Sequence, residues 1–306
     1  MTMFRTNLQQ FTNSRFAVWL ALGLSRYSPR WLGYRIADLA AAMVASRQRS
    51  PMVRALRANQ QVISADALHG TALQRRAGEV FRLHLRGLYD FYHNLDRPQE
   101  ILRQVDFHPY FADVFERVKS GSHPALFLSP HTSNFDLAGR ALALRGLDFQ
   151  VLSFPQPPSG YQMQNRLRAV PGIEVTPMSV GAAQQARQRL RAGGVVLTGL
   201  DRPLADARLR PRFFGRPAPL PVAYAHLALH TGVPMYVVAC VSPEPARYRL
   251  VCSPPIQPQP YPDRDEELIR NAESVLAEAE KIIAAYPQQW AMFYPVWPET
   301  LDQAEN

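Results

Sequence analysis

Residues 125–146 read ALFLSPHTSNFDLAGRALALRG, and this stretch decides the expected fold. Its first part, 125–130, is an apolar run that ends in a proline, which is typical of a buried strand. His131 follows where that strand would end, and the next three residues, TSN, are all types that cap helix N-termini. An apolar-periodic helix comes next, with Asp136 in its first turn. The pattern predicts a βα unit with a histidine at the carboxyl end of its strand.

His131 and Asp136 have the residue types and the placement of a catalytic pair. A carboxylate about one helical turn from an imidazole can accept a hydrogen bond from one ring nitrogen, which leaves the other free as a general base. A second pair, His108 and Asp113, has the same spacing. No apolar strand precedes His108, and Pro109 is predicted to open a helix, so we interpret His108 as a helix-start residue. The context therefore selects His131.

From residue 125 onward, apolar runs alternate with helical patterns. This alternation predicts an α/β fold with a mostly parallel central sheet flanked by helices, and residues 1–60 add an N-terminal helical layer. We expect one domain over residues 1–306, with its α/β core at 120–298. The predicted strands are 125–130, 149–154, 173–177, 195–200, 234–240 and 247–252, with helices near 134–145, 160–169, 181–193 and 221–231.

The predicted strand 195–200 ends in Asp201 and Arg202. This is again the carboxyl end of a strand, where α/β sheets place their sites. The alternative is an isolated ion pair on the surface.

Residues 210–221 read RPRFFGRPAPLP and contain a second candidate group. Arg212 and Arg216 could hold a phosphate, Phe214 could line an acyl channel, and Gly215 permits close backbone approach. The alternative is a proline-rich loop with two buried phenylalanines.

No metal site is predicted. His226 and His230 lie four residues apart on a predicted helix, but position 227 is Leu rather than the Glu of the zinc protease motif, and no third ligand is evident. Cys240 and Cys252 flank a predicted hairpin, where they could face each other. Two cysteines in a chain this size indicate reduced thiols rather than a disulfide framework.

The formal charge of +9 limits the choice of partners, and all but two of the basic residues are arginine. Such a surface suits an anionic membrane, an acidic carrier protein or the phosphates of a coenzyme. No nucleic acid is predicted as a partner, because no recognition motif or dense basic helix is present.

The N-terminal region, residues 1–60, is rich in arginine and helical in pattern. Its apolar runs, 16–24 and 36–45, are shorter than the roughly 20 residues that span a bilayer. We favour helices that lie in the membrane interface with their arginines towards the headgroups. A secretory signal with a small-x-small site at 23–25 and an ordinary packed helix are the alternatives.

Several of these segments resemble one family. PHTSNFD, at 130–136, resembles the His-x4-Asp motif of the glycerolipid and lysophospholipid acyltransferase superfamily, in the form found in its bacterial branch. That branch holds lipid A late acyltransferases and phosphatidylinositol mannoside acyltransferases. FFGRP at 213–217 and the strand end at Asp201 are similar to later segments of the branch, as is PQQWAMFYPVWPE at 287–299. After Gln-Trp the lipid A enzymes tend to have an arginine-rich run, and this chain instead continues AMFYP, which favours the mannoside group.

The resemblance implies a peripheral enzyme on the cytoplasmic face of the cell membrane. It would move a fatty acyl group from acyl-coenzyme A or acyl carrier protein to a hydroxyl of a phospholipid or glycolipid, without a further cofactor. His131 would act as base and Asp136 would orient it. Substrate contacts would come from Asn134, Asp201, Arg202, Arg212, Phe214, Gly215, Arg216 and from Arg166 or Arg168, between which the sequence does not choose.

Two other functions remain open on the same residues. A thioesterase or lipid hydrolase would use water as the acceptor, and rapid donor hydrolysis without lipid would support it. A catalytically inert lipid-binding protein is the second, and the intact pair of His131 and Asp136 counts against it.

Overall fold

The computed structural model describes residues 15–155 and 159–301, so the first 14 residues of the predicted N-terminal layer lie outside it. The helices are α1 (Arg15–Tyr27), α2 (Arg30–Ala45), α3 (Pro51–Ile63), α4 (Gly70–His93), α5 (Pro98–Gln104), α6 (Pro109–Lys119), α7 (Phe135–Leu144), α8 (Ser159–Arg168), α9 (Val180–Arg191), α10 (Ala223–Thr231) and α11 (Arg264–Ala285). The strands are β1 (Val105–Phe107), β2 (Ala125–Ser129), β3 (Phe149–Ser153), β4 (Ile173–Pro177), β5 (Val195–Gly199), β6 (Arg212–Phe213), β7 (Arg216–Pro217), β8 (Met235–Glu244) and β9 (Arg247–Cys252).

Within the described residues, seven strands form one sheet in the order β1-β9-β8-β2-β5-β3-β4. All neighbours pair in parallel except β8 and β9, which form an antiparallel hairpin. β2 lies at the centre, between β8 and β5, and its first four residues are buried. A strand covered on both faces needs the continuous apolar run that the sequence has there. The predicted α/β fold with a mostly parallel sheet is confirmed.

Helices cover both faces of this sheet. Leu126 and Leu128 of β2 pack into one apolar cluster with α9, α10 and α11, and Ala125 and Phe127 pack into a second cluster with α4 to α7. The division follows from the period of two along a strand, which sends successive side chains to opposite faces. The carboxyl edge of the sheet stays between the two layers.

The N-terminal layer packs small residues inwards. α2 buries Gly33, Ala37, Ala41 and Ala45, spaced four apart, and contacts α4. A Cβ at Gly33 would lie 1.9 Å from the ring of Tyr89, so only glycine fits there. Large apolar side chains of the same helix face outwards. None of the helices in the described part of the chain is long and apolar enough to cross a membrane.

The observed elements differ from the predicted ones in detail. All six predicted strands occur, with ends within one residue apart from β8, which extends to Glu244. α5, β1 and the small β6–β7 hairpin were not predicted, because runs of two to seven residues carry too little periodicity. The two cysteines are both free, and they do not face each other: Cys240 pairs with Leu250, and Cys252 pairs with Val238.

Candidate active site

His131 and Asp201 leave the sheet side by side. Ser129 and Gly199 are the last paired residues of the neighbouring parallel strands β2 and β5, so both chains emerge at the same edge. Asp201 Oδ1 lies 2.6 Å from Nδ1 of His131, and Asp201 Oδ2 accepts a hydrogen bond of 2.8 Å from the backbone N–H of His131. Asp201 is completely buried, whereas the His131 side chain is 27% exposed. The carboxylate therefore fixes both the backbone and the ring of His131.

Trp290 holds the same carboxylate from the other side. Its indole N–H donates to Asp201 Oδ2 over 2.7 Å. The chain around it clamps the loop after β2, because Ala291 N–H donates to the carbonyl of His131 and Ser133 N–H donates to the carbonyl of Gln289. Asp201 Oδ2 thus accepts two N–H bonds, which leaves Oδ1 for the imidazole.

This arrangement selects one tautomer of His131. A carboxylate oxygen can only accept a hydrogen bond, so Nδ1 of His131 is assigned the proton. The other ring nitrogen, Nε2, then carries a lone pair and can take a proton from a substrate. The ring packs edge-on against Phe135, with centroids 5.4 Å apart, and a Cβ at Gly199 would lie 3.4 Å from its Cε1. Packing and hydrogen bonding together orient the imidazole.

Asp136 has a different partner from the one the sequence predicted. We expected its carboxylate to accept the hydrogen bond from His131, but that place belongs to Asp201. Both oxygens of Asp136 instead bind Arg168, at 2.6 Å to Nε and 3.1 Å to Nη2. The physical reason is that helix α7 begins after the loop of His131, and its first turn packs towards α8. A catalytic contribution of Asp136 stays a prediction.

The structure distinguishes the two candidate arginines of α8. Arg166 is exposed, whereas Arg168 is held by Asp136 and stacks on the rings of Phe135 and Tyr161, at 5.5 and 5.1 Å. Burial alone would lower the pKa of Arg168, but Asp136 outweighs it and the pKa is raised. Arg168 is therefore a fixed positive charge beside the loop of His131.

Arg202 is the second fixed charge of this region. Its guanidinium carbon lies 3.9 Å from the ring centre of Phe154 and 4.3 Å from that of Tyr294, and Nη2 donates to the Tyr294 hydroxyl over 3.0 Å. The ring of Tyr161 is 5.7 Å away, so Tyr161 lies against both Arg202 and Arg168. Aromatic rings and a phenol do not neutralise a guanidinium, which leaves its charge available to an anion.

The segment around Gly215 forms a tight hairpin rather than an open loop. Phe214 and Gly215 have φ of 48° and 73° at the turn between β6 and β7. Arg212 donates to the carbonyl of Gly215 over 3.0 Å, and Arg216 pairs with Asp66 at 2.7 Å. Both guanidinium groups thus already have protein partners. The predicted phosphate contact stays untested.

The phenylalanines of this hairpin support the site indirectly. Phe213 is completely buried, with its ring centre 6.0 Å from Trp290 and 5.6 Å from Trp297. Phe214 packs on Phe213 and Trp297, at 4.8 and 6.3 Å. Trp290 is the donor to Asp201, so this aromatic packing fixes the indole that orients the carboxylate. Phe213 fits the alternative of a buried phenylalanine in a proline-rich segment, whereas Phe214 is half-buried and its contact with an acyl chain stays a prediction.

Asn134 has a structural task. Its Oδ1 accepts from Leu137 N–H over 3.2 Å and caps helix α7, while Nδ2 donates to the carbonyl of Gly87 in α4 over 2.8 Å. The side chain is buried with both ends of its amide bonded. The predicted substrate contact by Asn134 would require one of these bonds to open.

Two residues of this region were not predicted to belong to it. Trp290 lies in the closing segment 287–299, but no sequence pattern connects it with Asp201. His84 of α4 lies edge-on to Phe293, with centroids 4.9 Å apart. Burial lowers the pKa of His84 to about 4, opposed by Asp136 and assisted by His131. His84 is thus a neutral imidazole close to both of these groups.

No cluster of metal ligands occurs among the described residues. His226 and His230 lie with ring centres 4.0 Å apart, and His230 Nδ1 is 2.9 Å from the carbonyl of His226.

A buried carboxylate that orients an imidazole at the carboxyl edge of a parallel sheet defines an α/β protein with a potential general base. The sequence model of the family described as bacterial lipid A biosynthesis acyltransferase matches residues 94–299, and the chain belongs to this family. This confirms the resemblance seen in the sequence motifs.

Similar curated proteins carry the name phosphatidylinositol mannoside acyltransferase. The chain is 29% identical to the one from Mycobacterium tuberculosis over 215 residues, which is 68% of this chain and 65% of that protein. It is 26% identical to the one from Mycolicibacterium smegmatis over 180 residues, 56% of each. The match thus covers less than two thirds of the length of these relatives.

Proposed function

We propose that this chain is an O-acyltransferase that moves a fatty acyl group from a thioester donor to a hydroxyl of a phospholipid or glycolipid. The observation that carries the proposal is the His131 imidazole, held through Nδ1 by buried Asp201 with Nε2 left to act as a base. Family membership supports the acyl chemistry, and the names of the relatives support a glycolipid acceptor.

In the proposed reaction, Nε2 of His131 takes the proton of the acceptor hydroxyl as its oxygen attacks the thioester carbonyl carbon. Asp201 stabilises the imidazolium that forms. The C–S bond then breaks, and the imidazolium returns its Nε2 proton to the leaving thiolate. The products are the acylated lipid and the free thiol of coenzyme A or of acyl carrier protein, so the chemistry needs no further cofactor.

Direct transfer also fits the thiols of the chain. A covalent acyl-enzyme would need an activated nucleophile, and thiol reactivity requires a lowered pKa. Burial instead raises the pKa of Cys240 and that of Cys252 to about 12. The sequence also has no Gly-x-Ser-x-Gly motif. Both facts favour attack by the acceptor itself.

Arg202 is the group we propose for holding a phosphate of the acceptor or donor. It lies against Tyr161 in the region of the His131 loop, and its charge is not neutralised by its aromatic contacts. Arg168, which also lies against Tyr161, is bound by both oxygens of Asp136 and could contribute only if that ion pair opened. A guanidinium binds phosphate through paired N–H donors. This placement would hold a phosphorylated substrate close to Nε2.

An acyl transfer assay tests the proposal. Purified protein is incubated with acyl-coenzyme A or acyl carrier protein and with phosphatidylinositol mannosides in mixed micelles, and both free thiol and acylated lipid are measured. Equal amounts of both products support transfer. Thiol release at the same rate without any lipid acceptor would instead identify a thioesterase, and no consumption of any donor would leave only lipid binding.

Asp136→Asn tests whether Asp136 or Asp201 orients the base. The substitution removes the carboxylate that binds Arg168 at two points, so we expect a loss of about 1–3 kcal/mol in the free energy of unfolding and a rate lowered by roughly tenfold. Thermal unfolding and steady-state kinetics measure the two effects. A rate loss as large as that of Asp201→Asn would assign the orienting role to Asp136 after all.

We further propose that α1 and α2 lie in the membrane interface. Nine of the 13 exposed large apolar side chains in the described part of the chain belong to residues 19–43. On α2 the exposed Leu32, Ile36, Leu39 and Met43 follow helical spacing, while the buried face holds only glycine and alanine. A helix that turns its large apolar side chains away from the core has a second apolar surface to bury. A location on the cytoplasmic face stays a prediction.

Leu39→Glu combined with Met43→Glu tests this surface. Both side chains are more than 60% exposed, so the fold should tolerate the change. We expect binding to vesicles to weaken at least tenfold, because roughly 1.5–3 kcal/mol of apolar burial per side chain is lost. Leu144→Glu with Val180→Glu is the control, since it adds equal charge at exposed apolar positions elsewhere. Similar losses in both variants would mean that α2 does not enter the interface.

A further inference from the structure

A basic cavity lies at the C-terminal end of α4, beside His93. It has a volume of about 420 Å³. Its wall includes Arg30, His93, Asn94, Arg97, Glu100 and Arg103, and we name it the Arg97 pocket. His93 is nine residues, or about 14 Å of helix axis, from His84, which is the α4 residue close to His131. The mechanism above does not use the Arg97 pocket.

The charges of the Arg97 pocket favour an anion. Three guanidinium groups line it. Two carboxylates lie near them: Glu100, which pairs with Arg103 at 3.1 Å and with Arg30 at 3.5 Å, and buried Asp90, 3.8 Å behind Arg30. A hydrogen bond from Gln104 and these arginines lower the pKa of Glu100. The surplus of positive charge suits a phosphate, to which arginine presents paired donors.

The lining residues are fixed by contacts behind the cavity. Arg97 hydrogen-bonds through Nη1 to Nε2 of His93, and the other nitrogen of His93 lies 2.7 Å from the carbonyl of Ser25 in α1.

Two polar atoms of the lining residues have no hydrogen bond within the described part of the chain. Arg30 Nε lies 3.8 Å from Asp90 without a hydrogen bond. Buried Asn94 presents an Oδ1 that also lacks a hydrogen-bond partner in the described part of the chain. A ligand that carries both phosphate and hydroxyl groups could satisfy these guanidinium groups and this acceptor together.

The pocket borders the apolar surface of α1 and α2. Arg30 is the first residue of α2, and exposed Trp31 and Leu32 follow it directly. Tyr27, at the end of α1, is 84% exposed, and its neighbour Arg26 pairs with Asp96 next to the pocket at 2.8 Å. When these aromatic and aliphatic side chains lie in the membrane interface, the pocket lies at the level of the headgroups.

We propose that the Arg97 pocket binds the phosphate of an anionic phospholipid headgroup while the adjacent apolar surface enters the bilayer. The inference rests on the membrane association proposed above. It adds a lipid site distinct from the one at His131. Binding of one headgroup there would fix the orientation of the protein on the membrane.

Arg97→Gln combined with Arg103→Gln tests the pocket in the intact 306-residue chain. Both side chains are exposed, so the fold should persist. Binding is measured by sedimentation with phosphatidylglycerol–phosphatidylcholine vesicles and with phosphatidylcholine vesicles. We expect about thirtyfold weaker binding to the anionic vesicles, at roughly one kcal/mol for each basic residue at an anionic surface, and unchanged weak binding to the neutral ones.

The matched control is Arg191→Gln with Arg264→Gln, which removes equal charge from exposed positions on α9 and α11, in the opposite layer. We expect less than threefold weakening from it. The proposal that the pocket binds a headgroup would be contradicted if both double variants lost equal affinity for anionic vesicles. It would also be contradicted if the wild-type protein bound both vesicle types equally. Unchanged vesicle binding with a raised KM for acyl-coenzyme A would assign the pocket to the donor and also overturn it. Vesicle binding is read without turnover, so a failed acyl transfer assay would not alter this result.

Discussion

Asp201→Asn is expected to lower the rate of acyl transfer by about 10²–10⁴-fold while the protein stays folded. The reason lies in the donors around the carboxylate. Oδ2 accepts from the backbone N–H of His131 and from the indole of Trp290, so the single carbonyl oxygen of an asparagine would take that place. Its NH₂ group would then face Nδ1 of His131. Nδ1 would have to accept, which moves the ring proton to Nε2 and removes the base.

Nitrogen-15 chemical shifts of the His131 ring measure this change directly. In the wild type we expect the proton on Nδ1, and in Asp201→Asn on Nε2, with thermal unfolding showing how much of the fold is kept. Asp113→Asn is the matched control, because Asp113 belongs to the second His-x4-Asp sequence and lies exposed on α6. A rate within a few-fold of wild type, or an unchanged tautomer, would remove Asp201 from the mechanism.

The sequence predicted the sheet well because its central strands are buried on both faces. The runs 125–128 and 195–197 are apolar, and a proline or glycine marks where each strand ends. The same reasoning placed His131 and Asp201 at strand ends. It did not place them together, since that requires β2 and β5 to be neighbours although 70 residues separate the two side chains.

The orienting carboxylate was assigned to Asp136 because spacing along the chain is the information that a single sequence offers. Asp136 is one helical turn from the loop of His131, but its carboxylate is turned towards α8, because that helix supplies Arg168 as its partner. Trp290 is a similar case, 89 residues from its acceptor. Its role depends on the closing segment returning across the loop of His131, and no local pattern encodes that contact.

The hairpin around Gly215 was not predicted, for a related reason. Arginines and a glycine near two phenylalanines are typical of a phosphate-binding loop, and the same residues also suit a two-residue hairpin turn. Whether the segment is a phosphate-binding loop or a hairpin that supports the core depends on which residues the two phenylalanine rings contact. Phe213 meets Trp290 and Trp297, so the motif stabilises the aromatic cluster behind Asp201. Variants in this hairpin should therefore affect the rate through the placement of Trp290.

His131 itself gives the most direct test of the proposed base. His131→Asn keeps a donor at the position of Nδ1, so the bond to Asp201 and the local fold should persist while Nε2 is lost. We expect acyl transfer to fall by at least about 10²–10⁴-fold, the usual contribution of a general base. The matched control is His108→Asn. His108 precedes α6 as an exposed residue whose backbone N–H binds Leu250, and most of the activity should remain in this variant.

A cavity variant separates the loss of the base from a loss of structure. His131→Ala leaves Asp201 buried with its bonds from the backbone N–H and Trp290, and opens a space beside Phe135 that an imidazole molecule can enter. Added imidazole should then restore part of the rate, because it supplies a nitrogen base where Nε2 stood. The restored rate should saturate with imidazole concentration and should be absent in Asp201→Asn, where the ring is still present. Equal activity of His131→Ala and wild type would show that another group takes the hydroxyl proton. His84 is a neutral imidazole near the same loop, so it would then be the next residue to test by substitution.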